Sequence, residues 1–417
     1  MIKVRELSCG ARLVMEKIPY VQSVSMGIWV KAGSVNETED TAGISHFIEH
    51  MMFKGTSKRS AKAIASDADR IAGQINAFTG KEATCYYMKT LSSNMEKGAE
   101  ILLDMFLESL FDEEEMNRER MVILEEMKMI EDSPEDDIHD IIAELSFDGK
   151  RLANSIIGTE KSLYGITHDT IADYVRREYT ADSIVVSVSG NFDEDAVFAV
   201  FDGKFDRLKK HKESLPDEKN VIYKPRFRSK VKDIEQSHIC ISAPSIYRED
   251  SRFHAATILN NIMGGSMSSR LFQNIREEKG LAYSVYSMNS AYTSDGYYCI
   301  YAGVSHDKIH ACMEGIRSEL DNLKRKGISG EEIDIAKEQI KGSYIYSMEN
   351  TNSRMFSIGR NLLLDNVIHE TEEVIEEMNR VDKDAVDQVS ALITDIDKYC
   401  GAVISDKEVD VEEYLKN

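Results

Sequence analysis

A chain of 417 residues is too long for one ordinary core and fits two domains or more. Hydrophobic residues at 42% and charged residues at 30% are the proportions of a soluble globular protein, and no apolar run approaches the length needed to cross a bilayer, which argues against membrane insertion. The formal net charge of −22 argues against nucleic acid or an anionic membrane as partner, since both need clustered Lys and Arg, and suits a cationic or neutral substrate.

The opening stretch, MIKVRELSCGARLVMEKIPY, alternates apolar and polar residues like a strand. It lacks the apolar core and small-residue cleavage site of a secretion signal and the Arg/Ser-rich character of an organelle presequence, so the expected location is cytoplasmic. Next come a strand in VQSVSMGIWVKAG, a helix in TAGISHFIEHMMFKG, alternating strand sequence in GQINAFTGKEATCYYMKTL and an acidic-start helix in DEEEMNRERMVILEEMKMIEDSP. Residues 203 to 233 are basic and polar, hold two of the five prolines, and read as an interdomain linker.

Beyond that segment the plan repeats. EQSHICISAP is strand-like, SRFHAATILNNIMGGSMSSRLFQNIREEKG helical, LAYSVYSMNSAYTSDGYYCIYAGV strand-like, and SGEEIDIAKEQIKGSYIYSMENT matches the acidic-start helix. The expected architecture is therefore a duplicated α+β fold, with one domain over 1–202, a linker over 203–233 and a homologous domain over 234–417. The six cysteines are scattered without a C-x-x-C pair and read as reduced and mostly buried. His139, His254 and His310 are isolated in the chain and read as structural. MGGSMSSRLF lacks the spacing of a phosphate-binding loop.

The copies differ where HFIEH stands in the first and ILNNIMGG in the second. A requirement of the fold should appear in both, so the polar cluster points to function. At 100° per residue His46 and His50 are neighbours one helical turn apart with Glu49 beside both. Two imidazoles so spaced can bind one zinc ion, and the carboxylate can act on a water the metal activates; H-x-x-E-H is a known metallopeptidase pattern. Chance supplies one such motif in roughly a few of every hundred chains of this composition, so a third ligand is needed.

The acidic helix over 113 to 131 is its best source. Met116, Ile123, Met127 and Ile130 define the buried stripe, with Glu119 and Glu126 on the same side and Glu125 opposite. Buried carboxylates are costly unless paired or metal-bound, which singles out Glu119 and Glu126; periodicity leaves open which of them is the ligand.

His46-x-x-Glu49-His50 with Glu126, 76 residues beyond His50, resembles the zinc site of the pitrilysin/insulinase family, and within it the bacterial processing-type peptidases related to the catalytic subunit of mitochondrial processing peptidase. The similarity extends along the chain through AGISHFIEHMMFKGT, INAFTGKEATCYY and GGSMSSRLFQNIREEKGLAYSVYS. The resemblance implies Zn²⁺ on His46, His50 and Glu126, Glu49 as general base, and Glu119 as a carboxylate supporting a ligand histidine. It also implies an edge strand through Asn76, Ala77 and Phe78 to which a peptide adds as a further strand, although Ala77-Phe78-Thr79 reads equally as an ordinary core strand. In the second half Arg276 and Tyr283 match a pair that grips the substrate carbonyl. GKRLANSIIGTE departs from the family loop at Leu152-Ala153-Asn154-Ser155.

The resulting expectation is a zinc metalloendopeptidase of two homologous α/β sandwich domains enclosing a chamber. It hydrolyses peptides or unfolded polypeptide segments and, by resemblance, works as a homodimer. The alternative is a non-catalytic peptide-binding or scaffold member of the same family, although such members typically have a broken motif and this one is intact.

Overall fold

The structure, a computed structural model, describes residues 2–212 and 223–416. Its strands form two sheets. The first contains β1 (Ile2–Glu6), β2 (Arg12–Lys17), β3 (Ser23–Val30), β4 (Gln74–Thr79), β5 (Thr84–Leu91) and β6 (Ile184–Gly190), in the order β1-β2-β6-β3-β5-β4. The second contains β7 (Phe227–Val231), β8 (Ser237–Ser245), β9 (Ala282–Ala291), β10 (Gly296–Val304) and β11 (Cys400–Ser405), in the order β7-β11-β8-β10-β9. Both are mixed: β2 runs parallel to β6 and β7 to β11, and the other pairs are antiparallel. This is the expected α+β class in two units. No helix among the described residues is long and apolar enough to cross a membrane.

Central strands are buried along their whole length, as in β6 and β10, so each sheet must be covered on both faces. The covering helices do not come from contiguous halves. Helix Thr351–Leu364 lies on β2, β3 and β6 of the first sheet, where Ile358, Leu362, Leu363 and Leu364 join Val14, Trp29, Cys85 and Val185 in one core cluster. Helix Pro134–Ser146 lies on β8 and β11 of the second. The compact units thus differ from the expected spans 1–202 and 234–417: Ile345–Thr371 belongs with the first sheet and Lys128–Ala153 with the second. Each copy of the repeat gives up the helix that follows its acidic-start helix, a choice invisible to local periodicity. The expected linker also changes, because β7 lies inside 203–233; its residues 213–222 fall outside the described ones.

Helix Thr351–Leu364 approaches its sheet closely. A Cβ on Gly359 meets the Trp29 Nε1 position at 2.2 Å and Ser187 Oγ at 2.7 Å, the two atoms that hydrogen-bond each other at 3.0 Å.

The helix Ile44–Met51 turns Ile44, Phe47, Ile48 and Met51 into the core, which leaves His46, Glu49 and His50 on its other side. Its N-cap, Gly43, has φ of 86°, and a Cβ there sits 2.5 Å from the Ile157 carbonyl oxygen, so only glycine fits. The buried Glu37 carboxylate accepts the Gly43 and Ser45 N–H groups at 2.7 and 2.9 Å and fixes the start of the helix. Burial pushes its pKa up to about 7, against those same N–H donors, which pull it down.

Gly359→Ala should cost roughly 1–3 kcal/mol in denaturant unfolding by prising the helix off Trp29; unchanged stability contradicts the close packing. For Glu37 the folded pKa lies above the ordinary glutamate value of 4.5, so its favourable contribution is complete below that pH and is lost as pH rises through about 7. Melting temperature should fall between about pH 4.5 and 7, and Glu37→Gln should flatten that fall. An identical pH slope in the variant removes Glu37 as its origin.

Candidate metal centre

Glu119 and Glu126 project from helix Glu113–Asp132 toward the two histidines. Of the stripe expected on that helix, Met116 and Ile123 are buried and Met127 and Ile130 are half-buried. Glu126 Oε2 lies 3.8 Å from His46 Nε2 and 3.5 Å from His50 Nε2, and one ligand atom from each of the three residues falls within 4.8 Å of the others. These separations are long for hydrogen bonds. They are close to the roughly 3.4 Å between donors arranged tetrahedrally around one ion at roughly 2.0–2.1 Å.

The state of His46 gives the same answer. Its Nδ1 is buried without a hydrogen-bond partner, and Nε2 faces only the Glu126 oxygen at 3.8 Å. Burial, followed by the neighbouring His50, draws its pKa down to about 4 and keeps the imidazole neutral with a free lone pair. The rings of His46 and His50 stand edge to face with centroids 4.7 Å apart. A divalent cation fits this donor set of two imidazoles and one carboxylate.

The two glutamates are distinguished by what holds them. Glu119 is buried, with Oε2 at 3.1 Å from His50 Nδ1 and Oε1 at 2.5 Å from Lys54 Nζ. It therefore orients the far side of the His50 ring and leaves Nε2 free to bind. Glu126 faces the open ring nitrogens. Sequence reading passes over Lys54, which carries no signal in helical periodicity because it lies in the bend just beyond the end of the histidine helix.

Glu49 is close to the centre but not part of the ligand set. Its Oε2 accepts the Thr79 hydroxyl at 2.5 Å. Burial raises its pKa, with Thr79 and His50 pulling the other way and Glu126 raising it further. Thr79, at the end of β4, is the second residue missed, although its strand had been picked out.

β4 is an edge strand, paired only with β5, and lies against the histidine helix. Along it Ala77 is buried while Asn76 and Phe78 are exposed, so the core-strand reading gives way to an edge. The Asn76 side-chain oxygen accepts the Ala77 N–H at 2.8 Å. In the second unit Arg276 stands at the end of the π-helical turn Phe272–Glu278, its guanidinium 4.7 Å from the Phe272 ring centroid and 5.4 Å from that of Tyr283, which is 76% exposed. All six cysteines are free and buried.

Comparison with known proteins places these features in a family. Residues 12–160 match the model described as insulinase (peptidase family M16), and residues 165–340 match the one described as peptidase M16 inactive domain. An uncharacterized zinc protease of Bacillus subtilis is 41% identical over 405 residues, covering 97% of this chain and 98% of the relative. An uncharacterized zinc protease of Streptomyces coelicolor is 37% identical, covering 85% and 79%. Among solved structures, a protease from Helicobacter pylori superposes with a TM-score of 0.89 at 20% identity over 97% of this chain and 99% of that one. A peptidase M16 inactive domain from Pseudomonas fluorescens gives 0.91 at 16% identity over 98% of each, and at such identities these two speak for the fold alone. The near full-length identity to the Bacillus relative, with both models matching in order, makes the chain a member of the insulinase family, peptidase family M16.

Proposed function

We propose that the chain is a zinc metalloendopeptidase acting on peptides or unfolded polypeptide segments. The observation that carries this reading is the convergence of His46, His50 and Glu126 with Glu49 held beside them by Thr79. The zinc protease names of the relatives support the choice of Zn²⁺. When bound, the ion supplies Lewis acidity that activates a water and polarises the scissile carbonyl.

The residues of the chain do the rest. Glu49, whose pKa is raised by burial, takes the proton of the attacking water and returns it to the leaving amine as the C–N bond breaks. Thr79 holds one carboxylate oxygen and leaves the other to perform this transfer. The free edge of β4 accepts an extended backbone as an added strand, which favours unfolded over folded substrates, and Asn76, Ala77 and Phe78 line its course. Arg276 and Tyr283 serve as donors to the substrate carbonyl in this proposal, on the strength of the family resemblance. So does the homodimer; the cytoplasmic location rests on the sequence alone. The intact H-x-x-E-H motif speaks against the scaffold alternative.

Glu49→Gln should retain about one zinc per chain and lower kcat on an unstructured basic peptide by roughly 10²–10⁴. Full activity in that variant, or a wild type that holds no metal and cuts no peptide in a broad set, refutes the assignment. Lys54→Met and Glu119→Gln should each weaken zinc binding roughly 10–100-fold in chelator competition; equal affinity in both variants shows that the Lys54–Glu119–His50 chain does not orient the ligand.

A further inference from the structure

We propose that His139, Cys240 and Cys299 form a second metal site, built for a single thiophilic Cu⁺ ion and separate from the peptidase centre. The three residues lie far apart in the chain and belong to the same unit. Cys240 on β8 and Cys299 on β10 are diagonal neighbours on one face of the second sheet, since Cys240 pairs with Tyr301 and Cys299 with Ser242. Helix Pro134–Ser146 covers this sheet and carries His139. One imidazole nitrogen and both sulfurs fall within 4.8 Å of one another. Donors around one ion with metal–sulfur bonds of roughly 2.3 Å sit roughly 3.5–4 Å apart, inside that limit.

The hydrogen bonds around the imidazole prepare it as a ligand. Tyr286 donates its one hydroxyl proton to Glu135 Oε1 at 2.8 Å, and the Tyr286 hydroxyl oxygen lies 2.8 Å from His139 Nε2. That oxygen can only accept from the ring, so Nε2 carries the proton and Nδ1 the lone pair. Nδ1 is buried and has no hydrogen-bond partner. The Tyr286 ring stacks on the imidazole with centroids 6.0 Å apart, and the Tyr301 ring lies 5.5 Å away, which fixes the ring plane. A ligand histidine whose other nitrogen is held through a tyrosine by a carboxylate is the support a metal site requires.

Donor type and number select the ion. Both cysteines are fully buried thiols and free of disulfide. Structural zinc takes four ligands, whereas this group, among the described residues, has three. Cu⁺ favours soft thiolates with imidazole and is satisfied by two or three of them.

The test uses the full-length reduced protein with His46→Ala and His50→Ala, which removes the peptidase ligands. Cu⁺ is titrated anaerobically against a chromogenic Cu⁺ chelator and Zn²⁺ against a zinc indicator, with circular dichroism to confirm folding. The expected result is one Cu⁺ per chain, with sulfur and nitrogen neighbours in copper X-ray absorption. Affinity should fall more than about 100-fold in Cys299→Ser and in His139→Gln and stay unchanged in Cys400→Ser. Because stoichiometry and absorption are read on a parent with all three donors, a misfolded cysteine variant cannot mask a failure. Absence of bound copper with the thiols free, preference for Zn²⁺, or a Cys240–Cys299 disulfide in the protein as isolated each overturns the proposal.

Discussion

The first unit is organised around a cost: two imidazoles and a carboxylate placed on a short helix whose opposite side is the core. Such groups are tolerated away from water only if each is matched. The matching is asymmetric, and the asymmetry makes the centre. Lys54 neutralises Glu119 and ties it to His50, whereas Glu126 meets only the two ring nitrogens. One carboxylate of the helix is thereby tied to Lys54 and His50, and the other faces the open ring nitrogens. Thr79 does for Glu49 what Lys54 does for Glu119, holding one carboxylate oxygen in place.

The second constraint is the covering of the sheets. A mixed sheet with wholly buried central strands needs helices on both faces, and here one helix in each unit comes from the other copy of the repeat. Cutting the chain between its repeats would strip β2, β3 and β6 of Ile358, Leu362 and Leu363, and β8 and β11 of the helix that carries His139. Duplicated sequence has not produced two self-sufficient domains; it has produced two units that each need a helix from the other copy. The glycine at 359, pressed on Trp29, shows how closely such an exchanged helix is fitted.

What could be read from the sequence follows the range of the forces involved. Strands, the histidine helix and the glutamate helix show in local periodicity, and the H-x-x-E-H cluster shows because its members share one turn. The choice between Glu119 and Glu126 was not legible from periodicity, since it depends on Lys54, on another element. Domain bounds failed for the same reason: an amphipathic helix states that it has an apolar side but not which sheet that side will cover. The cysteines are the extreme case. Cys240 and Cys299 are scattered in the chain, and only strand register makes them neighbours under His139, which sequence alone presents as an isolated structural histidine.

The two copies show how one position in a fold is turned to opposite uses. Where the first has HFIEH, the second has ILNNIMGG on helix Phe253–Gly264, and there the helix closes on β9 instead of opening to a metal. A Cβ on Gly264 lies 2.4 Å from the Ser287 backbone nitrogen, and the Ser287 hydroxyl donates to Asn260 Oδ1 at 2.9 Å. Asn260 of that helix is thus held by the sheet, while His254 pairs with Glu377 of another helix, and among the described residues neither belongs to a cluster of metal-ligating side chains. In the first copy the sheet offers Glu49 only Thr79, and His46 and His50 look to a distant helix for partners. The cluster of His46, His50 and Glu126 arises where the packing of the repeat leaves the two imidazoles facing a helix and not a strand.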